Sequence, residues 1–596
     1  MLTIYDKLVI AFYFIFMTLM SWVMKRFVRN TSDYFRGGGE MLWWIAGAGA
    51  FTVSFSAVTF TGMAGKAYTD GPIVMVIFVG NAIGFLINYF WFAPMSRQTR
   101  AVTAMQVVRS RFGKANEQFF TWVQIPLGVC YAGIWLSGLG VFVSAAFRIP
   151  EAQTIVITGS VVIVMALVGG SWSVMAGDFV QTLVLMPVSI VAAALSLRAV
   201  GGVHGFFDKM PSSFYHWGET ANINLVGLWV FATLLQKFVS TNSMQDSSRY
   251  LSVKDSKHAR KAALLGAILH TVGPVLWFIP PMAARIAYPH IEQMFPGVKN
   301  PPEASFFAIA VSTMPAGMVG LLLSAIFGAT MSAMDGGLNK NAGFFVKNFY
   351  QPHINPDATE RKLLIVGKLT TLALGVIIIG NGLLFAQWKG TNIFKQMTLY
   401  SGLVGLPVTI PLVLGLFIKR APGWAGWSTV LVTLLGSIIA HFALGVNHAS
   451  QLLHMSMNEK DSYCWDFLSG TLINLLVGCT WFLGSCLFAE RRSQEEKRRV
   501  SEFFQRIATP VDFEKEEGIG SDNMQAKIMG ILCLIYGGFI LLLMTIPNPA
   551  SGRLAFAFCG LMMAGIGGLL LRGSHATRTE QQRLHTKAAA TEKTLI

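Results

Sequence analysis

Five hydroxyl side chains stand inside one apolar stretch of this 596-residue chain, at positions 52, 54, 56, 59 and 61 between Phe51 and Gly62. Inside a bilayer, a polar group is costly unless it is paired or hydrated. Such a stretch could support an unwound helix whose freed carbonyl oxygens bind a cation. Equally, Ser and Thr can hydrogen-bond back to the preceding turn of an ordinary helix. The residues alone leave both interpretations open.

Two charged residues also fall in or beside apolar runs. Asp178 opens the run 179–197 and is either an interfacial helix cap or an ion ligand. Lys237 lies near the middle of the run 225–243, directly after Gln236. It could bind an anionic substrate group, pair with a carboxylate, or extend its ammonium towards the membrane surface. Both residues are therefore candidates for function.

Motifs for other chemistry are missing from the sequence. No His, Cys and carboxylate cluster has metal-ligand spacing, and neither a nucleophile elbow nor a phosphate-binding loop occurs. His270 and His441 lie singly in apolar runs, which is typical of packed or pathway-lining residues. ATP-driven transport and a membrane enzyme therefore find no support, and we expect no enzymatic activity.

The composition requires a membrane protein. Hydrophobic residues make up 53% of the chain and charged residues only 13%, about half the share usual for a soluble protein. Because a helix needs about 20 apolar residues to cross a bilayer, the apolar runs predict an all-α polytopic membrane protein with about fifteen spans. These are 8–24, 42–65, 71–95, 119–147, 152–168, 179–197, 225–243, 262–284, a stretch ending near 333, 369–388, 397–418, 424–446, 467–489, 528–546 and 554–571.

The net charge of +16 comes mainly from cations in alternate loops, such as 97–114 and 249–261. Because cytoplasmic loops are rich in Lys and Arg, this pattern predicts an inner or plasma membrane protein with its N-terminus outside and its C-terminus in the cytoplasm. The charge therefore requires no nucleic-acid partner, and no obligate protein partner is inferred. The polar segment 490–527 is either an amphipathic helix on the inner leaflet or a solvated linker.

Five short motifs follow one another along the chain. They are Asp33-Tyr34-Phe35 with Trp43-Trp44, the hydroxyl-rich run with Gly62-Met63-Ala64-Gly65, Gly169-Gly170 with Asp178 and Gln181, Arg249-Tyr250-Leu251-Ser252-Val253-Lys254, and Gly415-Leu416-Phe417-Ile418-Lys419-Arg420. In this order they resemble the solute:sodium symporter family, which includes sodium-coupled sugar, sialate, proline and monocarboxylate transporters. The resemblance covers about residues 5 to 490.

The resemblance implies a LeuT-type core of two inverted five-helix repeats, whose first helices are broken near the bilayer midplane. The implied organisation is an extra N-terminal helix (1–30), the repeats (42–200 and 223–420), additional helices (424–489), a cytoplasmic amphipathic linker (490–527), a C-terminal hairpin (528–571) and a cytoplasmic tail (572–596).

The resemblance also implies ion sites. The principal sodium site would use the carbonyls of Thr52, Phe55 and Ala329, the hydroxyl of Ser332 and a second hydroxyl at position 333, which is Ala333 here. A second ion site would use Asp178 and groups beyond Ser332, where this chain has Asp335. The implied coupling ion is Na⁺.

The family's sugar-binding positions fall on Thr59, Asn81, Gln236, Val239 and, loosely, Thr398. Ser56 and Lys237 complete the set of candidate substrate contacts. We therefore expect a secondary active symporter that imports a sugar, a sugar acid or a carboxylate with Na⁺ by alternating access. The alternatives are proton-coupled or uncoupled transport of the same class of solute, or a transporter-like solute sensor.

Overall fold

The fold is known from a computed structural model. It describes residues 2–27, 39–53, 55–215, 223–244, 248–295, 297–388, 392–443, 445, 450–451, 454, 456–516 and 522–594. Within these ranges the side chains of 27, 53, 168–171, 248, 335–336, 440–441, 443, 522 and 575–594 are not described. The described chain is helical, and its strand-like pairing is a single bridge between Met41 and Val253.

Residues 2–215 form eleven of the described helices. They are α1 (Ile4–Met24), α2 (Trp43–Val53), α3 (Ala57–Phe60), α4 (Gly62–Asp70), α5 (Val76–Ile87), α6 (Ala93–Gln98), α7 (Ala104–Phe112), α8 (Lys114–Phe147), α9 (Glu151–Ala199), α10 (Gly202–Asp208) and α11 (Ser212–Tyr215). A 3₁₀ turn at Gly71–Met75 leads into α5, and a π-helical turn at Asn88–Phe92 links α5 to α6. A short 3₁₀ turn also follows α1, at Lys25–Phe27.

Residues 223–594 continue in the same way. Their described helices are α12 (Ile223–Thr241), α13 (Ser248–Leu251), α14 (Ser256–Ala287), α15 (Ser305–Thr313), α16 (Met318–Phe344), α17 (Glu360–Gln387), α18 (Ile393–Tyr400), α19 (Leu406–Leu414), α20 (Ala425–Ala443), α21 (Glu459–Ser485), α22 (Gln494–Ala508), α23 (Phe513–Glu516), α24 (Asp522–Leu542) and α25 (Ala550–Thr594). The π-helical turns Phe345–Ile354 and Ser401–Gly405 and the 3₁₀ turns Ile291–Gln293, Pro301–Ala304, Cys486–Arg491 and Leu543–Thr545 connect or extend them.

Side-chain caps explain where several helices begin. Thr3 and Asp6 form a reciprocal capping box at the start of α1, and Asn458 and Asp461 form another at α21. Asp255 caps α14 by accepting from the His258 backbone N–H. These side chains satisfy amide groups that the first turn of a helix leaves without partners.

Twelve helical stretches of the described chain are long and apolar enough to cross a membrane. The predicted count of fifteen is therefore not confirmed. Glu151–Leu167 and Ala425–Ile439 are shorter apolar helices, and the predicted spans 42–65 and 71–95 correspond to one candidate span, Ala57–Gln98, preceded by the short α2. The two shorter stretches end where the described side chains of α9 and α20 are interrupted, so the described residues do not test the predicted spans 152–168 and 424–446.

Helix α16 lies at the centre of the bundle, and its most apolar stretch of 18 residues is completely buried. It packs against α9, α8 and α1. The outer helices instead expose large apolar side chains such as Ile439, Leu476 and Leu561. This inside-out distribution is the one expected where lipid replaces water around the perimeter.

Helix α22 corrects one expectation about the polar segment 490–527. The segment is helical at 494–508, and its apolar residues Val500, Phe503 and Ile507 are buried. Phe503 and Ile507 pack in one cluster with residues of the bundle such as Phe112. The apolar face therefore contacts protein, and the placement of this face on the inner leaflet is wrong.

Candidate functional site

The hydroxyl-rich run contains a break in the helix. Helix α2 ends at Val53 and α3 begins at Ala57, while Ser54 lies outside the described residues. Ser56 is extended, with φ −153° and ψ 179°, and its hydroxyl accepts from the Val58 backbone N–H at 3.3 Å. Of the two interpretations of this run, the structure therefore supports the unwound helix.

A hydroxyl from the second half of the chain holds the break. The backbone N–H of Ala57 donates to Thr330 Oγ1 at 2.7 Å, and Thr330 in turn donates to the Ile326 carbonyl at 3.1 Å. The carbonyl oxygen of Phe55 has no such partner. Among the backbone hydrogen bonds outside helices in the described chain, none is accepted by this oxygen. A buried carbonyl without a protein donor is the kind of oxygen that binds a cation in broken membrane helices.

Three helices meet at Asp178, which is fully buried in the interior of α9. Ser332 of α16 donates to its Oδ1, and the Ser332 oxygen lies 3.5 Å from Thr52 Oγ1 at the end of α2. Arg249 Nη1 approaches Oδ2 at 3.1 Å as an ion pair, without the angles of a hydrogen bond. Asp178 is therefore not an interfacial helix cap, because it lies within a helix and away from any surface.

Glycine at position 49 permits this arrangement. A Cβ there would lie 2.9 Å from both Arg249 Nη1 and Asp178 Oδ2, closer than real Cβ contacts. Arg249 is only 8% exposed, so the guanidinium and the carboxylate are both removed from water. A charge placed there without a partner would be strongly unfavourable.

The residues expected at the principal sodium site lie close to this cluster. Thr52, Phe55, Ala329, Ser332 and Ala333 are all buried, and Thr52 and Ser332 contact each other directly. Their contributions, apart from Ala333, are oxygen atoms, the ligand type that hard cations prefer. This donor set fits Na⁺. The Asp335 side chain lies outside the described residues, so the second site stays a prediction.

The cation ligand missing at Ala333 is not supplied by Thr330. The Thr330 hydroxyl already accepts from Ala57 and donates to Ile326, so binding a cation would require it to release the helix break. Carboxylate Asp178 is the nearest charged group described beside Ser332.

A cavity of about 320 Å³ adjoins the break. Five of the seven candidate substrate contacts line it: Ser56, Thr59, Asn81, Gln236 and Lys237. Val239 and Thr398 do not line it. Val239 is packed in an apolar cluster, and the Thr398 hydroxyl is hydrogen-bonded to Tyr463 Oη at 2.7 Å.

Several cavity residues escaped the sequence analysis. Tyr131 and Trp135, one turn apart on α8, are stacked with their ring centroids 6.1 Å apart. Ser401, in the π-helical turn after α18, accepts from Gln236 Nε2 at 3.2 Å. Aromatic residues in an apolar run give no signal that separates them from packing residues, and a π-helical turn has no sequence signature.

Charged residues link three helices at the end of α4. The buried carboxylate of Asp70 forms ion pairs with Lys66 and with Lys460, the latter at 2.7 Å. The Lys66 ammonium lies 5.6 Å from the centre of the Tyr463 ring and 5.7 Å from that of Phe394. These contacts join α4 to α18 and α21, and the distance of 390 residues between Asp70 and Lys460 hid them from the sequence analysis.

Comparison with known proteins gives a consistent result. The family model described as "Sodium:solute symporter family" matches residues 34–424. The chain is 25% identical to sodium/myo-inositol cotransporter 2 of Oryctolagus cuniculus, over 73% of this chain and 69% of that protein. It is 24% identical to a sodium/sialic acid symporter of Proteus mirabilis, over 72% and 88%, and 25% identical to the sodium/glucose cotransporter of Vibrio parahaemolyticus, over 66% and 76%.

One solved structure shows the same fold. It is the substrate-bound outward-open state of a Na⁺-coupled sialic acid symporter, with a TM-score of 0.65 and 21% identity. The superposition covers 82% of this chain and 98% of that one. The predicted fold class, an all-α membrane bundle of this type, is therefore confirmed.

Proposed function

The chain belongs to the sodium:solute symporter family, and from that premise we propose that Asp178, Ser332 and the α2–α3 break bind the coupling ion beside the solute cavity. As a member of that family it is a Na⁺-coupled transporter of small polar solutes embedded in a membrane, and not an enzyme. We further propose which residues bind the ion, in which direction the solute moves and to which chemical class it belongs.

Ser332 carries the proposal, because it touches both Asp178 and Thr52 and so joins α16, α9 and α2 at one point. A cation held by Ser332, Ala329 and the carbonyls of Thr52 and Phe55 would bind the broken helix to α16. The solute cavity uses Ser56 and Thr59 from the far side of the same break. An ion that orders the break therefore strengthens solute binding, and by linkage the solute strengthens ion binding equally.

Transport direction follows from the charge pattern and the membrane potential. We assign the N-terminus to the outside and the C-terminus to the cytoplasm, with the basic loops 97–114 and 249–261 inside. An inside-negative potential of about 100 mV contributes roughly 2.3 kcal/mol per net charge moved inward. Import of solute is therefore the favoured direction.

The repeats proposed for this core are residues 42–200 and 223–420. The break between α2 and α3 falls in the first, and Ser332 in the second. The extra helices are those of residues 1–30 and 424–489, the hairpin is 528–571, and the segments 490–527 and 572–596 lie on the cytoplasmic side. The ion would then bind between the two repeats, where such transporters place their substrates.

The solute is proposed to carry several hydroxyl groups. Gln236, Asn81 and Thr59 present amide and hydroxyl groups to the cavity, and Tyr131 and Trp135 provide an aromatic wall. Relatives named for sialic acid, myo-inositol and glucose transport polyhydroxylated solutes. A cavity of about 320 Å³ is of the size used for small-molecule ligands.

The test is uptake into proteoliposomes with glucose, glucuronate, myo-inositol and N-acetylneuraminate under separately imposed Na⁺, Li⁺, K⁺ and proton gradients. We expect accumulation of at least one solute only with Na⁺. Ser332→Ala should raise the Na⁺ concentration for half-maximal uptake at least tenfold. Ser324→Ala is the matched control, since this buried hydroxyl of α16 bonds only the Gly320 carbonyl among described residues, at 2.8 Å.

Two outcomes would contradict the proposal. Uptake driven by protons alone would remove Na⁺ as the coupling ion. Equal Na⁺ dependence in the Ser332→Ala and Ser324→Ala variants would leave the transporter assignment intact but place the ion elsewhere.

A further inference from the structure

Lys237 is held in the wall of the solute cavity by close helix packing. The Cβ and Cγ atoms of Lys237 pack against Gly80 of α5. A Cβ at Gly80 would lie 2.9 Å from Lys237 Cβ and 3.0 Å from its Cγ. One turn further, Gly84 makes room for Thr241. The stem of Lys237 thus fills the space between α12 and α5, and its neighbours Gln236, Ser240 and Thr241 line the same cavity.

The Lys237 ammonium forms no ion pair with any described residue, although it stands within a membrane-spanning helix. Two of the described buried carboxylates are already engaged: Asp178 with Arg249 and Ser332, and Asp70 with Lys66 and Lys460. The titratable group described close to Lys237 is His270 of α14, which is not an anion. No described carboxylate therefore pairs with Lys237, and the side chain of Asp335 lies outside the described residues.

The charged residues described in the cavity lining are all cationic. The described lining contains three cationic residues, Lys237, Arg249 and Lys340, and neither Asp nor Glu. Arg249 is balanced by Asp178, and Lys340 faces the Phe344 ring at 6.0 Å. Lys237 is the cation in this lining that lacks a described partner, and an ammonium within a membrane-spanning helix strongly favours one.

We propose that the transported solute is an organic anion, and that the Lys237 ammonium pairs with its carboxylate. The inference rests on the proposed function and specifies the solute class for that cavity. The hydroxyl-bearing part of the solute would meet Gln236, Asn81 and Thr59, so a sugar acid fits better than a short fatty acid or a neutral sugar. Gln236 donates to Ser401 Oγ, and Gln236 and Lys237 both line the cavity.

Matched pairs of charged and neutral solutes test this assignment. Glucose and glucuronate differ at one carbon, and N-acetylneuraminate is compared with its methyl ester. Na⁺-dependent thermal stabilisation of the full-length purified protein should be seen with a carboxylate of this panel and be at least tenfold weaker, in half-saturating concentration, for its neutral counterpart. Wild-type protein that no carboxylate of the panel stabilises contradicts the proposal, whether or not a neutral member binds.

Two substitutions of Lys237 separate charge from packing. Lys237→Met keeps the length of the stem without the charge, and we expect it to lose about 10- to 100-fold in affinity for the carboxylate, as for one hydrogen bond to a charged group. Its affinity for the neutral counterpart should stay within threefold or improve, which requires folded protein. Lys237→Arg should keep the preference for the carboxylate. Equal loss for both solutes in Lys237→Met would mean that Lys237 acts through packing, and would overturn the proposal.

Flux ratios distinguish failure of this inference from failure of the proposed function. In proteoliposomes, the Na⁺ moved per solute minus the net charge moved per solute equals one for a monoanion and zero for a neutral solute or a protonated acid. A difference of zero with Na⁺-dependent uptake would overturn the anion assignment alone. Uptake without any Na⁺ dependence would instead overturn the proposed coupling.

Discussion

The buried pair between Asp178 and Arg249 can be measured by a double-mutant cycle. Asp178→Asn removes the carboxylate charge, and Arg249→Met removes the guanidinium while keeping most of its apolar stem. At 3.1 Å and an effective dielectric constant of about 20, the attraction between the charges is about 5 kcal/mol. Arg249 is 8% exposed and Asp178 fully buried, so neither single variant can recover full hydration.

We expect each single substitution to lower the free energy of unfolding by about 3 to 5 kcal/mol, because each leaves one buried charge without its partner. The double variant removes both charges, so its loss should be smaller than the sum by about 3 kcal/mol. Equilibrium unfolding in mixed micelles measures these values, with choline replacing Na⁺ so that ion binding does not contribute. Each variant needs a check of monodispersity before the comparison.

Additivity would refute this reasoning. If the loss in the double variant equals the sum of the single losses within about 0.5 kcal/mol, the two side chains do not interact. The ion pair would then contribute nothing to stability, and Gly49 would have no reason to leave room for it.

Three further predictions concern the same region and one helix start. Gly49→Ala should lower stability by about 1 to 3 kcal/mol, because its Cβ would meet the ion pair at 2.9 Å; the control Gly227→Ala, which meets nothing within 4 Å, should raise the melting temperature slightly. Ala333→Ser should lower the Na⁺ concentration for half-maximal thermal stabilisation several-fold by adding a hydroxyl, and an unchanged value would remove position 333 from the ion site. Burial acts to raise the pKa of Asp255, but hydrogen bonds from His258 outweigh it and lower this pKa to about 2; stability from this group is thus present above pH 4 and lost as the pH falls towards 2. Asp255→Ala should cost about 1 kcal/mol at pH 7 and flatten that acid dependence in melting curves, and the same slope in both proteins would contradict it.

Periodicity and polarity predicted the parts of the fold that depend on neighbouring residues. The hydroxyl-rich run indicated a break between residues 51 and 62, and the described residues 55 and 56 lie in that break. The same run also contains an ordinary back-bonded hydroxyl, Thr61, which donates to the Ala57 carbonyl at 2.9 Å. Sequence alone could not separate these two cases, because the difference is made by Thr330, more than 270 residues away.

Contacts between distant segments could not be predicted in the same way. Asp178 and Arg249 were both noted as single residues, but their pairing depends on how α9 and the start of α13 approach each other. For the segment 490–527, the sequence indicated an amphipathic helix and could not show whether lipid or protein covers its apolar face. The ion-site residues came from family resemblance, because backbone carbonyls such as that of Phe55 carry no side-chain signal.

The hydrogen bond from Ala57 to Thr330 makes the start of α3 dependent on α16 for its first amide partner. Any rotation that separates these helices must replace this bond, and water is the replacement that costs least. Opening of this joint therefore takes up water molecules that closing must expel. The rate of alternating access should accordingly fall under osmotic pressure from an impermeant polymer, which links the conformational cycle to the hydration of one short gap in a helix.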